Sequence, residues 1–419
     1  MSLPEPTAAS PDPDDPARSA SGVEREALWF RLFLFGIAAV GPFSLNIFKP
    51  CLPWIMADFG APMSTVQLSL SLSILAAAVA TVLSGPVADR LGRRPVLLGS
   101  LYIYLVGSAG AALAPTIGAL IVGRVLQAGS SSVALVTARA VIHDVFGETE
   151  SSKVIARVSL MAVLLVVLAP VLGGVLIDAS GWRAVFWTST AFGTVLALAA
   201  WARLEETAPR AGVAPSARAT RQRIGMLLRS PVFHGYAMQS SLHFATFFAF
   251  TSAASYLMVN VLHRSATDYG LWFMFVAVFV GGGLVAAGRL AGRIPSGRLA
   301  SCGSLLVLAG CALSAWQLLQ EPLTAAGVFV PAALSGFGIG LALPATNAGV
   351  MAVVPELAGT GSGLMGFQQY VCAAIFAQVV VQDESHTPQL LAALSLVGGF
   401  GSVAFSLLSL RHGRTSRPA

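Results

Sequence analysis

One lysine interrupts a long apolar stretch near the start of the chain, in the segment LNIFKPCLPW that covers residues 45–54. A cation inside an apolar helix is costly unless it reaches water, a counter-ion or a polar cavity. Three environments are therefore open for Lys49: the outer surface of a bilayer, reached by snorkelling, a functional cavity, or an ion pair with a carboxylate such as Asp58. Asn46 lies three residues earlier, so its amide shares a helix face with Lys49.

Two prolines shape the same segment. Pro50 cannot donate a hydrogen bond to the carbonyl of Asn46, and Pro53 cannot donate one to the carbonyl of Lys49. Lipid does not tolerate an unpaired backbone acceptor, whereas a polar cavity does. The two prolines therefore favour a position beside a cavity for this turn.

A second buried cation is predicted at Arg124, in the segment GRVLQAGSSS that also contains Gln127. Arg124 lies roughly 12 Å below the outer end of its helix, at a rise of ~1.5 Å per residue. Two roles are open for it: a structural hydrogen bond between helices, or a place in a cavity or proton pathway.

The rest of the chain has the composition of an integral membrane protein. It has 419 residues, of which 55% are hydrophobic and 11% are charged, and its mean hydropathy is +0.76. A helix needs about 20 apolar residues to cross a bilayer, and windows of that length recur along the chain. They predict an all-α membrane protein with about twelve transmembrane helices, at residues 29–55, 65–85, 95–114, 116–140, 156–177, 182–203, 232–260, 269–289, 299–319, 323–349, 359–381 and 389–410.

The basic residues predict the orientation of these helices. Arginines cluster in every second connecting segment, whereas the other connections hold Arg183 and Arg264. Connections rich in arginine and lysine face the cytoplasm. Both termini are therefore expected in the cytoplasm, and the net charge of +6 indicates a membrane rather than nucleic acid as the partner.

A central polar segment and a short internal echo predict two similar halves. The sequence ADRLGRRP follows the second predicted helix, and GRLAGRIP follows the eighth, which is the second helix of the other half. Repeated halves are typical of secondary transporters. The predicted units are a disordered cytoplasmic tail at residues 1–27, a six-helix bundle at 28–204, a cytoplasmic linker at 205–230, a second six-helix bundle at 231–411 and a cytoplasmic tail at 412–419.

The loop GPVADRLGRRP, residues 85–95, joins the second and third predicted helices. Taken singly, its arginines could anchor the loop at lipid headgroups. The order of glycine, aspartate and arginine resembles the signature loop of the major facilitator superfamily, whose charge cluster closes one side of the transporter. Gly85 is expected to allow close approach of two helices. The resemblance assigns the gating role to Gly85, Asp89, Arg90, Gly92, Arg93 and Arg94.

Further segments resemble the Bcr/CflA branch of that superfamily, which consists of multidrug exporters of the drug/proton antiporter type. These segments lie at residues 123–132, 168–186, 340–349 and 358–370. By this match Arg124 and Gln127 take the polar role within the fourth helix. Pro170, Gly173 and Gly174 take the role of the fifth-helix hinge, while Ala169 stands where the motif usually has glycine.

The resemblance implies two pseudo-symmetric six-helix bundles around a central cavity that opens to each side of the membrane in turn. The first, fourth, seventh and tenth helices line such a cavity. The seventh is rich in phenylalanine; such residues are more often packing than binding, but beside a cavity they suit amphiphilic small molecules. The candidate cavity residues are Asn46, Lys49, Arg124, Gln127, Phe244, Phe247, Phe248 and Tyr256.

The sequence departs from its apparent relatives at the expected proton carrier. Relatives in the branch commonly carry an acidic residue in the first helix, where this chain has Asn46, and Lys49 replaces a leucine. An amide cannot exchange protons near neutral pH, whereas a lysine removed from water can. Proton coupling through Lys49, a histidine or a peripheral carboxylate, coupling to something other than protons, and uncoupled facilitation all stay open.

Together these features predict a secondary active transporter that exports small amphiphilic compounds or drugs by proton antiport. The alternatives are a dedicated carrier of an anionic metabolite, natural product or siderophore that uses Lys49 and Arg124, and a membrane receptor or sensor without transport. No nucleotide-binding loop, metal pair or nucleophilic triad is recognisable in the sequence, so no enzyme activity, cofactor or metal is expected. The expected partners are the lipid bilayer, a small-molecule substrate and protons, for a monomer in the bacterial inner membrane.

Overall fold

The chain folds almost entirely into helices. The computed structural model describes residues 16–207, 225, 227–353 and 358–415. The helices of the first half are α1 (Pro16–Phe48), α2 (Leu52–Phe59), α3 (Met63–Leu91), α4 (Arg93–Ala112), α5 (Ile117–Ser180) and α6 (Arg183–Arg203). Those of the second half are α7 (Pro231–Tyr256), α8 (Ala266–Leu290), α9 (Ser296–Leu318), α10 (Ala325–Val353), α11 (Ala358–Val379) and α12 (Thr387–Thr415).

These helices confirm the predicted all-α membrane fold. Ten segments within the described ranges are long and apolar enough to cross a membrane, by length and composition. The predicted fifth span corresponds to the second part of α5, and the predicted eleventh span corresponds to α11. Large apolar side chains on the outer faces of the helices are exposed, as expected for contact with lipid tails; they include Leu83, Val195 and Phe400.

The ends of the predicted bundles are only partly visible. Most of the predicted linker, residues 208–224, lies outside the described residues, as do residues 1–15 of the predicted tail and 416–419 at the other end. Within the predicted tail, α1 begins at Pro16, because proline is well suited to the first helical turn and the alanine, glutamate and arginine that follow favour helix. The bundle boundaries at residues 204 and 231 stay predictions.

Proline divides the first span. Helix α1 ends at Phe48, a 3₁₀ turn covers Lys49–Cys51, and α2 continues to Phe59. Because Pro50 and Pro53 remove two backbone donors, the α-helical ladder cannot pass through this turn unbroken. In a continuous helix the backbone carbonyl of Lys49 would accept a hydrogen bond from within the helix, and the break leaves it available to another donor.

Helix α5 contains two membrane passages. It has 64 residues, which at ~1.5 Å per residue would give a straight helix of about 96 Å, far longer than a bilayer is thick. Its two ends, at Leu120 and Ile177, belong to one hydrophobic cluster, whereas Val141 and Val154 in its middle belong to another. The chain therefore reverses direction near the middle of α5, and the two parts of this helical segment supply the fourth and fifth spans.

Matching glycine contacts relate the two halves. A Cβ on Gly107 of α4 would lie 2.7 Å from the carbonyl oxygen of Gly123 on α5, and one on Gly303 of α9 would lie 2.6 Å from that of Gly338 on α10. Such distances are too short for any side chain, so each helix pair meets backbone to backbone. The third and fourth spans thus pack in the same way as the ninth and tenth, as expected for pseudo-symmetric bundles.

The two halves are joined on one side of the molecule. We call the side at which α3 ends and α4 begins the arginine-rich side, and the opposite side, which holds Arg183 and Arg264, the arginine-poor side. On the arginine-poor side, the carboxylate of Asp178 at the end of α5 accepts hydrogen bonds from the backbone N–H groups of Ala266 (3.3 Å) and Thr267 (3.0 Å) at the start of α8. These bonds pair the last turn of α5, in the first half, with the first turn of α8, in the second half.

A second junction mirrors the first. Glu384, which precedes α12, accepts a hydrogen bond of 2.7 Å from the backbone N–H of Met63 at the start of α3. Gln378 of α11 donates to the carbonyl of Ser64 at 2.8 Å, and deeper in the molecule Gln67 donates to Ser252 at 3.0 Å. Each half thus supplies one carboxylate that caps a helix of the other.

Candidate functional site

A cavity of about 380 Å³ lies between the two halves. Its wall contains residues of α1, α3, α5, α7, α8, α10 and α11 together with Lys49. On the arginine-rich side of Lys49 it reaches Leu135, Leu284 and Leu343, while the junctions above close the arginine-poor side. Most lining side chains are aliphatic or aromatic, so the space is suited to an apolar or amphiphilic molecule.

Lys49 contributes to the cavity wall. It is 1% exposed, and its Nζ donates a hydrogen bond of 3.0 Å to Oδ1 of Asn46. The amide nitrogen of Asn46 in turn donates to the carbonyl of Pro42 at 2.8 Å, which fixes the amide with its oxygen toward Lys49. Among the described residues that line the cavity, Lys49 is the only one with a formally charged side chain.

Three phenylalanine rings surround the same ammonium group. Lys49 Nζ lies 5.4 Å from the ring centre of Phe247, 4.9 Å from that of Phe248 and 5.1 Å from that of Phe273. All three distances are within the range of cation–π attraction. We call these three rings the phenylalanine cage.

Neither surface snorkelling nor an ion pair describes Lys49. Asp58 is bound to Arg183 at 2.8 Å and to the indole N–H of Trp182 at 3.2 Å, so its carboxylate serves the loop after α5. The backbone carbonyl of Lys49, left without its helical donor by Pro53, accepts a hydrogen bond of 3.0 Å from the hydroxyl of Ser255 on α7. The acceptor that the sequence predicted to be free is thus used in a contact between the halves.

The structure places Arg124 and Gln127 outside the residues that line the cavity. The Arg124 guanidinium, 1% exposed, lies 4.0 Å from the ring centre of Phe48 and donates through Nη1 to Oε1 of Gln127. Gln127 donates to Ser108 at 2.8 Å. Nε and Nη2 of Arg124 have no hydrogen-bond partner within the described part of the chain. The arrangement is a buried polar network inside the first half.

The predicted aromatic residues divide between wall and packing. Phe244, Phe247 and Phe248 line the cavity, whereas Tyr256 does not. Phe273 of α8 and Tyr370 of α11 also line it and were not predicted. The expectation that the first, fourth, seventh and tenth helices form the wall left out α3, the second passage of α5, α8 and α11. An aromatic cluster at residues 272–275 was the one signal in the sequence that could have indicated Phe273.

The charges of the predicted gating loop form a cluster within the first half. The Arg93 guanidinium bridges Asp89 at 2.6 Å and Asp144 of α5 at 3.1 Å. The carboxylate of Glu206 accepts from the backbone N–H groups of Arg93 and Arg94 and so caps α4. Arg94 also donates to the carbonyl of Trp201 at 3.2 Å.

The glycines of this loop serve different purposes. Gly92 has a φ of 96°, which strongly favours glycine at the turn between α3 and α4. A Cβ on Gly85 would meet no atom within 4 Å, so the close helix approach expected there is absent from this structure. Gly85 therefore faces open space on the arginine-rich side of the molecule. Arg90, the remaining predicted member, is exposed.

The fifth-helix motif contacts the other half and also the 3₁₀ turn Lys49–Cys51, which we call the lysine turn. A Cβ on Gly173 would collide with the carbonyl oxygen of Ile47, and one on Gly174 would collide with that of Ala266 at the start of α8. Pro170 is buried beside them, and its carbonyl approaches Gly270 of α8. The small residues therefore allow α5 to touch the lysine turn on one side and the second half on the other.

Two six-helix halves around a cavity that is closed at one end define a transporter of small molecules within the membrane. The chain belongs to the Major Facilitator Superfamily, whose sequence profile matches residues 34–377. It is therefore a multi-pass membrane transporter and not an enzyme, as predicted.

Named relatives cover most of the chain. It is 28% identical over 401 residues to the MFS-type transporter YdgK of Bacillus subtilis, across 94% of this chain and 99% of the relative. It is 29% identical over 321 residues to the chloramphenicol resistance protein of Pseudomonas aeruginosa, across 75% of each chain. It is 27% identical over 359 residues to multidrug resistance protein D of Escherichia coli, across 83% of this chain and 87% of the relative.

Solved structures share the fold at low identity. A bacterial homologue of the human lysosomal transporter Spinster, in an inward-facing and occupied conformation, superposes with a TM-score of 0.73 at 16% identity, covering 97% of this chain and 99% of that one. A D-xylose–proton symporter superposes with a TM-score of 0.72 at 13% identity, covering 90% and 98%. At these identities the likeness concerns the fold alone.

Proposed function

We propose that the chain exports small amphiphilic compounds by proton antiport, through alternating access of the central cavity to the two sides of the membrane. The observation that carries the proposal is the cavity itself, which has about 380 Å³ of space, an apolar and aromatic wall and one ionisable amine. The relatives named for resistance to chloramphenicol and to multiple drugs support export as the direction.

The proposal gives each predicted group a role. Asn46, Lys49, Phe244, Phe247 and Phe248 contact the substrate. Arg124 and Gln127 support the wall from behind, since both are buried beside the lysine turn. The gating loop, with Asp89 and Arg90 at its centre, closes the arginine-rich side when the cavity opens to the other. The hinge at residues 170–174 and Tyr256 act where the halves move past each other.

Orientation and location are part of the same proposal. The arginine-rich side faces the cytoplasm of a bacterial cell, the membrane is the inner membrane, both termini are cytoplasmic, and the working unit is a monomer. In this orientation the cavity lies open to the compartment from which an exporter takes its substrate.

One observation favours a second candidate, a dedicated carrier of an anionic metabolite. Lys49 is the sole formal charge among the described residues of the cavity wall, and it has no carboxylate to balance it. A bound anion would neutralise it.

Inside-out membrane vesicles distinguish the two. We expect a cationic dye to accumulate when the vesicle interior is acid and to leave when a protonophore removes the gradient. Vesicles without the protein are the control. Cation accumulation that ignores the gradient would contradict proton antiport. Flux of an organic anion that is lost in Lys49→Ala and retained in Lys49→Arg would favour the anion carrier.

A further inference from the structure

The phenylalanine cage has the electrostatics of a cation site. The faces of Phe247, Phe248 and Phe273 are directed at one point, and Lys49 Nζ occupies it. The face of an aromatic ring is electronegative, so a point between three faces attracts a cation and repels an anion. Aromatic cages of this kind bind quaternary ammonium groups. In this structure the occupant of the cage is a side chain of the protein itself.

Lys49 is held in the cage weakly enough to leave it. Within the described part of the chain its ammonium has a single hydrogen bond, to Oδ1 of Asn46, and that oxygen can accept equally well from a neutral amine. A charged amine away from water and without a counter-ion is costly, so loss of its proton to cavity water is the simplest relief. A neutral Lys49 would lose its attraction to the rings, and with it the cation–π contribution that holds Nζ between them.

Other titratable or charged side chains lie on the turn itself, on the helices packed against it and on α11 beside the cavity. They include Cys51 of the turn, Asp58 of α2, Arg124 of α5, His243 and Tyr256 of α7, Tyr269 of α8 and Tyr370 of α11. Each of these either binds another group or is not a carboxylate. Asp58 binds Arg183, and Arg124 binds Gln127. The His243 ring lies 3.0 Å from the hydroxyl of Ser304 on α9. Lys49 is thus the amine best placed to exchange a proton with the cavity.

We propose that the phenylalanine cage binds the ammonium group of amphiphilic organic cations, and that protonated Lys49 is the internal competitor for that position. This inference rests on the proposed transport function and names its substrate class and its proton carrier. Lys49 gives its proton to water on the side from which the cation enters, and the cation takes its place between the rings. On the other side a proton from water restores the ammonium of Lys49, which returns to the cage and expels the cation. One proton crosses for each monovalent cation, in the opposite direction.

Equilibrium binding to the purified full-length protein tests the competition without any gradient. The probe is benzyltrimethylammonium, a permanent cation whose charge and shape do not change with pH. Its binding is measured by calorimetric titration at pH values below and above 7. We expect its affinity to weaken by up to about tenfold per pH unit on the acid side, because each bound probe requires the release of one proton.

Variants of Lys49 separate competition from simple repulsion. In Lys49→Met, and in Lys49→Gln as a second neutral form, the affinity is expected to equal the alkaline value of the wild type at every pH. Lys49→Arg is expected to lose binding throughout, since a guanidinium does not release its proton. A wild-type affinity that does not change with pH, a wild type that binds no probe at any pH, or a Lys49→Arg protein that binds as tightly as the wild type would overturn the proposal.

The rings are tested with a matched pair on α8. Phe273→Leu removes one wall of the cage, and we expect weaker binding at every pH with the same pH slope. Phe275→Leu is the control, because Phe275 lies two residues away and is 37% exposed on the opposite face of the helix. Equal effects of the two substitutions would contradict the cage.

A probe of opposite charge distinguishes the cage from an anion site. Phenylmethanesulfonate keeps the benzyl group and reverses the charge, and no binding is expected. Sulfonate binding that is lost in Lys49→Met and retained in Lys49→Arg would overturn the proposal in favour of an anion site. The two proposals can fail separately. Cation binding that depends on pH, without flux driven by a gradient, would support the cage and contradict antiport. Flux driven by a gradient, with binding that does not depend on pH, would contradict the cage alone.

Discussion

The carboxylate of Glu384 caps the backbone N–H of Met63 at 2.7 Å, although the two residues belong to different halves of the protein. Asp178 makes the corresponding contact in the reverse direction, from the end of α5 to the start of α8. A carboxylate at a helix N-terminus is stabilised by the unpaired N–H groups and by the helix dipole. The two caps together hold the arginine-poor side closed.

Loss of either cap should favour the state that opens on the arginine-poor side. Each charge–helix contact contributes about 0.3–1 kcal/mol at a surface, so Glu384→Gln or Asp178→Asn should shift the ratio of the two states by about two- to fivefold. Single-molecule energy transfer between dyes at the starts of α3 and α12 would measure the shift. The double variant should give the product of the single effects, since the two caps are separate.

The neighbouring carboxylate provides a control for the caps. Hydrogen bonds from Ser385 and from His386 hold the pKa of Asp383 at about 2, and these bonds stay within its own turn. Asp383 therefore stays ionised at physiological pH, and any contribution it makes to stability is present above its unfolded pKa of 3.8 and is lost as the pH falls through about 2. Asp383→Asn should leave the ratio of states unchanged. An effect equal to that of Glu384→Gln would show that general surface charge, not capping, closes this side.

The backbone contact between α4 and α5 should tolerate no side chain. Gly107→Ala places a methyl group against the backbone of Gly123, and we expect a cost of about 1–3 kcal/mol in stability. Gly110→Ala on the same helix faces open space and should be neutral or slightly stabilising. The melting temperatures of the two purified variants in detergent measure the difference. Equal melting temperatures would contradict the close packing.

Gln127 should contribute to stability by accepting a hydrogen bond from the buried guanidinium of Arg124. Gln127→Leu leaves the buried guanidinium with the carbonyl of Ser44 as its remaining acceptor, at 3.5 Å, and should lower stability by about 1–3 kcal/mol. Removing both partners in Arg124→Met/Gln127→Leu should recover part of that loss, because no donor is then left unpaired. Chemical unfolding of the single and double variants gives the coupling. Simple additivity would show that the two side chains act independently.

The hydroxyl of Ser255 should stabilise the break in the first span. Ser255→Ala leaves the carbonyl of Lys49 without a donor at a contact between the halves, at a cost of about 1–3 kcal/mol. Ser241→Ala on the same helix removes a hydroxyl whose one bond among the described residues is to the carbonyl of Ala237, and should cost less. Hydrogen exchange at the lysine turn is expected to rise in Ser255→Ala and not in Ser241→Ala.

Much of the fold could be predicted because its causes are local. Apolar windows set the spans, and Pro50 and Pro53 set the break and leave the carbonyl of Lys49 without its helical donor. The continuous helix between the fourth and fifth spans was not predictable, because the sequence indicated a cytoplasmic connection between the predicted spans 116–140 and 156–177.

The site was only partly predictable because it depends on which distant helices meet. Lys49 and Asn46 could be identified from their types and spacing, as could the phenylalanines of α7. Phe273 enters the cage from α8, a helix that was not expected to line the cavity, and Arg124 lies behind the wall because Phe48 and Gln127 enclose it. The capping of α8 by Asp178 and of α3 by Glu384 likewise requires the three-dimensional packing of both halves.

The most direct test of the central claim follows protons and substrate together. Proteoliposomes that contain the protein, at equal pH inside and outside and with the membrane potential clamped, are given benzyltrimethylammonium on one side while an enclosed dye reports internal pH. Proton antiport through Lys49 predicts that protons cross the membrane in the direction opposite to the cation. It also predicts that Lys49→Met carries the cation without moving protons. Cation transport by the wild type with no proton movement, or an unchanged proton signal in Lys49→Met, would contradict the account.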